Sequence, residues 1–204
     1  MKTESIIRIL DSIYGKIDSF SSEELLGIDT LSISRFGFDG SILEVDFNDL
    51  LNFSNLESLT IDSCILDVSV VKIIASLSNL DKLYIYNCEI NEDVYEEFNN
   101  IHVKELGLCN VDINVSRLNG IYQRLQLENV KLEKLNCKVT ILDVFACEIT
   151  DVDELLGDEF EIVVISTLQY LSNQLKFDDC GRKVIVMEDN GQFVSQKVGF
   201  DGEV

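Results

Sequence analysis

The 204-residue chain is strongly acidic, with 16 Lys and Arg against 37 Asp and Glu and a net charge of −21. A surface this negative repels phosphate backbones and anionic lipids, so the composition argues against nucleic-acid and membrane partners. It favours a basic protein as partner, although the same charge is also explained by solubility alone. Apolar residues make up 46% of the chain, which is enough for an ordinary buried core.

The N-terminal region does not read as a targeting segment. Glu4, Arg8 and Asp11 interrupt its apolar residues, and no run of about 18 apolar residues occurs elsewhere. We therefore expect neither a secretory signal nor a membrane span, and a cytoplasmic location. The six cysteines are then expected to be reduced thiols.

Apolar residues at helical spacing predict four helices along the first half of the chain. They cover Thr3–Ile17, Ile42–Phe53, Val68–Leu77 and Asn91–Phe98. Asp67 or Ser69 can cap the third, because a side-chain oxygen accepts a hydrogen bond from an otherwise unpaired backbone N–H.

One phrase recurs between these segments and is clearest in Leu56–Leu66 and Leu80–Ile90. Both stretches fit L-x-x-L-x-L-x-x-C-x-L with aliphatic substitutions, and both follow a Ser-Asn pair. More degenerate copies begin at Ile28, Val103, Tyr122, Val139 and Phe160. The later copies are more closely spaced than the first ones, so we expect their return paths to be extended segments or single turns.

The phrase resembles that of the leucine-rich repeat superfamily. The resemblance implies an α/β solenoid with a parallel concave sheet, in one domain over residues 1–204. It implies an N-terminal helical cap over 1–27, about seven irregular repeats over 28–170, and a C-terminal cap over 171–204. A β-hairpin is predicted within that cap, because Asn190-Gly191 separates two apolar stretches and suits a type I′ turn. A helix is predicted before it, over Leu168–Phe177.

Strand side chains alternate between faces, so residues between the repeated leucines point away from the core. In the superfamily this face lines the concave binding surface. The predicted partner-binding residues are three aromatics and four acids on this face: Asp62, Tyr84, Tyr86, Glu105, Glu128, Asp143 and Phe145. Exposed aromatics favour an interface, but the alternative is that Tyr84 and Tyr86 only cover neighbouring strands.

Catalytic and metal-binding patterns are weak in this sequence. Cys64, Cys88 and Cys147 share the inward-turning position of the phrase, without a C-x-x-C pair. Cys109 is expected on the exposed sheet face, and His102 is the only histidine. The sequence also lacks a phosphate-binding loop and the spacing of a calcium loop. We therefore expect no catalytic residues, no bound metal and no cofactor.

The predicted function is a non-catalytic protein–protein interaction module that binds its partner on the concave sheet face. One alternative is an acidic inhibitor or immunity-type protein that neutralises a basic toxin or enzyme. The other alternative is a structural subunit of a larger assembly, held by its caps or convex surface.

Overall fold

The computed structural model describes residues 3–15, 19–37, 40–156, 160–179, 183–187 and 193–198. The fold is mixed α/β, with parallel sheets and short helices. Two compact units are distinguished, Met1–Val103 and Lys104–Val204. The division of residues 1–204 into two caps and seven repeats stays a prediction. Among the described residues, none of the helices has the length and apolar character needed to cross a membrane.

The first unit alternates short strands with short helices. Its strands are β1 (Thr3–Ser5), β2 (Thr30–Ser34), β3 (Glu44–Asp46), β4 (Ser58–Asp62), β5 (Ile65–Leu66), β6 (Lys82–Tyr86) and β7 (Glu89–Ile90). Its helices are α1 (Ile6–Ile13), α2 (Ser22–Leu26), α3 (Val68–Ala75) and α4 (Tyr95–Phe98), with 3-10 turns over Phe47–Asn52 and Glu92–Val94. Strands β2, β4 and β6 pair in parallel, as do β1 with β3 and β5 with β7.

The recurring phrase sets the register of the parallel strands in this unit. Leu31 pairs with Leu59, and Leu59 pairs with Leu83. The aliphatic residues two positions later, Ile61 and Ile85, are also in register and fully buried. Equivalent positions of successive copies therefore stack in the core, as the phrase predicts.

Two of the predicted helices are wrong at their N-terminal ends, for one shared reason. The predicted helix Thr3–Ile17 begins only at Ile6, because Thr3–Ser5 forms β1. The predicted helix Ile42–Phe53 is instead strand Glu44–Asp46 followed by a 3-10 turn. These two strands pair with each other in parallel, so a long-range backbone ladder replaces the local helical hydrogen bonds at both positions. Ile17 lies outside the described residues.

The third and fourth predicted helices form, but only one of them is capped. Helix α3 begins after Asp67, whose Oδ1 accepts hydrogen bonds from the Val70 N–H (2.9 Å) and the Ser69 hydroxyl (2.6 Å). The segment after Asn91 is a 3-10 turn followed by α4, and Asn91 makes no side-chain capping bond. The two helix starts occupy equivalent positions of successive repeats and are stabilised differently.

The second unit contains longer strands, and the connections between its successive sheet strands are shorter than those between β2, β4 and β6. Its strands are β8 (Glu105–Cys109), β9 (Ile121–Glu128), β10 (Lys131–Leu132), β11 (Lys138–Phe145), β12 (Glu148–Ile149), β13 (Ile162–Ser166), β14 (Lys183–Met187) and β15 (Phe193–Val198). Its helices are α5 (Thr167–Ser172) and α6 (Gln174–Asp179), with 3-10 turns over Val115–Arg117 and Val152–Leu156. Strands β8, β9, β11, β13 and β14 pair in parallel in that order.

The repeated aliphatic positions also stack within this unit. Leu106 pairs with Leu125, Leu125 with Leu142, and Leu142 with Val163. A single 3-10 turn stands between β8 and β9, as the short spacing of the phrase predicts.

The predicted C-terminal hairpin is confirmed in its strands, since β15 pairs antiparallel with β14. Its Asn190-Gly191 turn lies outside the described residues. The helix predicted over Leu168–Phe177 is divided into α5 and α6 at Asn173.

A left-handed residue follows five of the repeat strands. Positive φ angles of 48–55° occur at Ser63, Asn87, Asn110, Asn129 and Ala146. The N–H of each of three of them donates to the carbonyl at the end of the next strand: Ser63 to Tyr86, Asn110 to Glu128 and Asn129 to Phe145, each at 3.0 Å. In these five copies the turn ends the strand and redirects the chain at the same point of the phrase.

Candidate functional site

We use the term alternate face for the side of the repeat strands opposite the stacked leucines. In the first unit it is formed by nine residues of β2, β4 and β6: Thr30, Ser32, Ser34, Ser58, Thr60, Asp62, Lys82, Tyr84 and Tyr86. All nine are exposed or half-buried, whereas the leucines between them are buried. The alternation expected from the sequence is therefore present here.

Three predicted partner-binding residues lie together on this face. Tyr84 and Tyr86 are two positions apart on β6, and their rings are nearly parallel, at 18°, with centroids 6.4 Å apart. Asp62 on β4 is the direct strand partner of Tyr86. The three side chains are all half-buried, so each presents part of its surface to solvent beside the others.

The carboxylate of Asp62 is held in place by the turns that follow the strands. Its Oδ1 accepts hydrogen bonds from the Ser63 hydroxyl (3.0 Å) and from Asn87 Nδ2 (2.8 Å). Both donors are the left-handed residues that end β4 and β6. In the described part of the chain no hydrogen-bond donor reaches the second oxygen, Oδ2. The roles of Ser63 and Asn87 were not predicted from the sequence. Their equivalent positions directly after β4 and β6 could have indicated that they act together.

The other four predicted residues belong to the second unit. Glu105, Glu128 and Phe145 are half-buried on its alternate face, and Phe145 pairs directly with Glu128. Cys109, the register partner of Glu128 on β8, was expected to be exposed; this is wrong, because only 8% of it is accessible. The face is consequently less open here than in the first unit.

Asp143 is the clearest departure from the predicted site, since only 1% of its surface is exposed. Its backbone neighbours across the sheet are Gln126 and Val164. Arg124 Nε donates to Asp143 Oδ2 at 2.5 Å, and the Arg124 side chain remains 49% exposed. The expectation that Asp143 presents a solvent-exposed charge is therefore wrong, because the surrounding side chains bury its carboxylate.

The buried carboxylate of Asp143 is incompletely paired. Its Oδ1 has no hydrogen-bond partner among the described residues. Burial raises the pKa of Asp143, while the Arg124 guanidinium opposes this shift and the negative charge of Glu105 adds to it. Arg124 is thus a basic residue beside the acidic Glu105, Glu128 and Asp143 of this face. Its opposite charge on the strand adjacent to Asp143 could have indicated the ion pair from the sequence.

A cavity of about 320 Å³ and one of about 630 Å³ occur in the first unit. The second lies between α1 and β2 and is lined by Ile9, Ile13, Phe36 and the alternate-face residues Ser32 and Ser34. Ile13 and Phe36 are about half exposed, at 47% and 50%. Glu4, Arg8 and Ser41 also line this cavity, so its lining is mixed polar and apolar. Since Ser34 pairs with Asp62, the cavity adjoins the Asp62–Tyr86 pair on the alternate face.

Two of the three cysteines of the phrase, Cys64 and Cys88, are core residues. Cys64 and Cys88 are buried and adjacent, with the Cys64 N–H donating to Cys88 Sγ at 3.4 Å. Burial, reinforced by the nearby Cys88, raises the pKa of Cys64 to about 12. Burial also raises the pKa of Cys88 and of the half-buried Cys147. These thiols are therefore poor nucleophiles at neutral pH.

Within the described residues no group of three or more His, Cys, Asp or Glu side chains is arranged to hold a metal ion. His102, an exposed residue, lines a separate cavity with Leu80 and Val103.

No protein-family model matches the chain, and no curated protein matches it with significant similarity.

Proposed function

We propose that this chain is a leucine-rich repeat protein of solenoid type that acts as a non-catalytic protein–protein interaction module. Its partner binds on the alternate face, which corresponds to the concave face of the superfamily. The observation that carries this proposal is the half-exposed, nearly parallel Tyr84–Tyr86 pair beside the anchored carboxylate of Asp62.

Aromatic side chains bury much area with few rotatable bonds, and this makes them frequent centres of interfaces. Tyr84 and Tyr86 are restrained by each other and by the strand that carries them. A partner that covers them therefore orders few groups on binding, and this keeps the entropic cost of association low.

The test is capture of partners from a lysate of the source cell with the wild-type protein and with Tyr84→Ala/Tyr86→Ala. Leu51→Ala is the control, because Leu51 is 58% exposed on the 3-10 turn of the return path. Loss of the same partner with the tyrosine variant alone supports the proposal, provided that both variants keep the wild-type urea midpoint.

The opposite result, in which Leu51→Ala loses the partner and the tyrosine variant keeps it, favours a structural subunit held by its other surfaces. Exposed leucines elsewhere favour this second candidate: Leu168, Leu171 and Leu175 of α5 and α6 are 66%, 59% and 80% exposed.

The acidic inhibitor or immunity-type function is a narrower form of the first proposal. The net charge of −21 supports it, because such a charge accelerates encounter with a basic toxin or enzyme. A captured partner with a high isoelectric point and a toxic or enzymatic activity that the protein suppresses is the expected result.

A further inference from the structure

We propose that Asp62 and Tyr86 bind an arginine side chain of the partner, and that an apolar residue nearby in the same partner segment enters the cavity beside Ser34. This inference rests on the proposed function and specifies the chemistry of the ligand.

The carboxylate is the first element of the site. Ser63 and Asn87 both donate to Asp62 Oδ1, so the orientation of the carboxyl group is fixed before a ligand arrives. Among the described residues, Oδ2 receives no donor, and the side chain is half-buried. A fixed and partly desolvated carboxylate oxygen is a strong acceptor for a cationic donor.

The ring of Tyr86 is the second element. It lies on the strand next to Asp62, in direct register, and strands are about 4.8 Å apart. A guanidinium placed over this ring can donate to the neighbouring carboxylate at the same time. Arginine combines a planar face that stacks on aromatic rings with donors at its edge, whereas the ammonium of lysine has no such face.

The cavity is the third element. Ser34, Asp62 and Tyr86 form one row across three strands, and the row ends at the cavity lined by Ile9, Ile13 and Phe36. From Tyr86 to Ser34 this row spans roughly 10 Å, which is about three residues of extended chain. The segment that fits it carries arginine and a large apolar residue about three positions apart.

The overall charge favours the same ligand. At −21, the protein attracts a cationic segment and repels an acidic one. Charge alone does not select a position, however, and the experiment must separate the site from non-specific attraction.

The probe is a short synthetic peptide in which arginine and leucine are three positions apart, together with its analogue in which citrulline replaces arginine. Citrulline keeps the shape of the side chain and removes its charge. Binding is measured by calorimetry and by the amide shifts of β4 and β6 in NMR spectra. We expect the citrulline peptide to bind at least about tenfold more weakly, the usual effect of losing a charge-assisted hydrogen bond.

Matched variants locate the site. Asp62→Asn should weaken arginine-peptide binding about tenfold, whereas Asp112→Asn, which removes the same charge from an exposed loop, should change it less than about twofold. Tyr86→Phe keeps the ring and should keep binding, while Tyr86→Leu should lose about threefold or more. An asparagine at position 62 still offers an oxygen to Ser63 and Asn87, so this variant is expected to fold normally.

Equal effects of Asp62→Asn and Asp112→Asn, or equal binding of the arginine and citrulline peptides, would overturn the inference. Such a result leaves the proposed function standing if partner capture still depends on Tyr84 and Tyr86. Conversely, selective peptide binding with tyrosine-independent capture of the partner rejects the proposed function and keeps the arginine site.

Discussion

Asp143 is a buried carboxylate that is only partly paired. Arg124 satisfies one carboxylate oxygen, and the other has no partner among the described residues. Transfer of a carboxylate out of water is unfavourable unless its pairing is good. The net result is a raised pKa, with burial as the largest cause. A residue of this kind lowers the stability of the folded state whenever it is ionised.

We expect Asp143→Asn to stabilise the protein by about 1 kcal/mol at pH 7, because the neutral amide avoids the cost of burying a charge. The variant leaves no buried unpaired charge behind, since the Arg124 side chain is 49% exposed. The folded-state pKa of Asp143 lies above its ordinary value of 3.8. Ionisation is therefore less favourable in the folded than in the unfolded chain, and wild-type stability falls as the pH rises from 3.8 through the folded-state value. The advantage of the variant should be greatest above this window and disappear below it. Urea denaturation at a series of pH values measures it.

Asp112→Asn is the control for this experiment, because it removes the same charge from an exposed position. Its free energy of unfolding should change by less than about 0.5 kcal/mol. A loss of stability with Asp143→Asn at pH 7 would show instead that the bond to Arg124 outweighs the effect of burial.

Five repeat strands are followed by a left-handed residue, and among these Ala146 has the residue type that suits this conformation least. Its φ of 48° is left-handed, a region that asparagine and glycine tolerate better than alanine. Three of the five equivalent positions hold asparagine, and Asn129 Nδ2 donates to Asn110 Oδ1 at 2.7 Å. Asparagine at 146 thus relieves backbone strain and extends this chain of amide hydrogen bonds.

Both Ala146→Asn and Ala146→Gly should raise the free energy of unfolding by about 0.5–1 kcal/mol. Ala75→Gly is the control: Ala75 ends helix α3, so the same change should lower stability by up to about 1 kcal/mol. Denaturation midpoints compare the three variants, and a destabilising Ala146→Gly would contradict the strain argument.

At the scale of secondary-structure elements, the sequence predicted the strands of the recurring phrase better than the segments that connect them. Leu31, Leu59 and Leu83 stack as their phrase predicts. A one-residue slip would turn the whole buried face of a strand toward solvent, so the pattern strongly restricts the register. The β1–β3 pair was not predictable in this way. Its two short segments are 39 or more positions apart, and their local apolar spacing also fits a helix.

The candidate site was predictable as a face and not as a set of contacts. Alternation along the strands placed Asp62, Tyr84 and Tyr86 correctly on one side. The alternation gives no information on how closely neighbouring side chains pack on that face. It therefore did not predict the burial of Asp143 or Cys109. Their burial depends on the sizes of neighbouring side chains, which a periodic pattern does not represent.

Helix α3 offers a test of how much an N-terminal capping residue stabilises the fold. Asp67 caps it through the Val70 N–H, and replacing such a cap by alanine usually costs about 1 kcal/mol. We expect that loss for Asp67→Ala and a smaller one for Asp67→Asn, which also caps. The pKa of Asp67 is lowered, first by the Ser69 hydroxyl and then by the Val70 N–H. The stabilisation is therefore present above 3.8 and lost as the pH falls through the folded-state value.

Asn91 is the matched control, since it precedes the equivalent segment one repeat later without making a capping bond. Asn91→Ala should change the free energy of unfolding by less than about 0.5 kcal/mol. Equal losses at the two positions in thermal or urea unfolding would argue that the hydrogen bond of Asp67 is not what stabilises the helix start.

For the whole molecule, the net charge of −21 has two competing explanations, partner binding and solubility alone. The two roles differ in kinetics. Long-range attraction accelerates encounter and is screened over about 10 Å at 0.1 M salt, whereas contacts within the complex are screened less. If the charge serves binding, raising the salt from about 20 mM to 0.5 M should lower the association rate of the captured partner at least about tenfold and leave its dissociation rate nearly unchanged.

Two double variants then distinguish the charges on the alternate face from the net charge of the whole protein. Glu105→Gln/Glu128→Gln acts on the alternate face, and Glu92→Gln/Glu96→Gln removes the same charge from exposed positions on the return path of the first unit. Both pairs should slow association slightly, because both reduce the long-range field. Only the first should also speed dissociation, measured by surface plasmon resonance. An association rate that is insensitive to salt, with equal dissociation rates for both pairs, would leave solubility as the role of the charge.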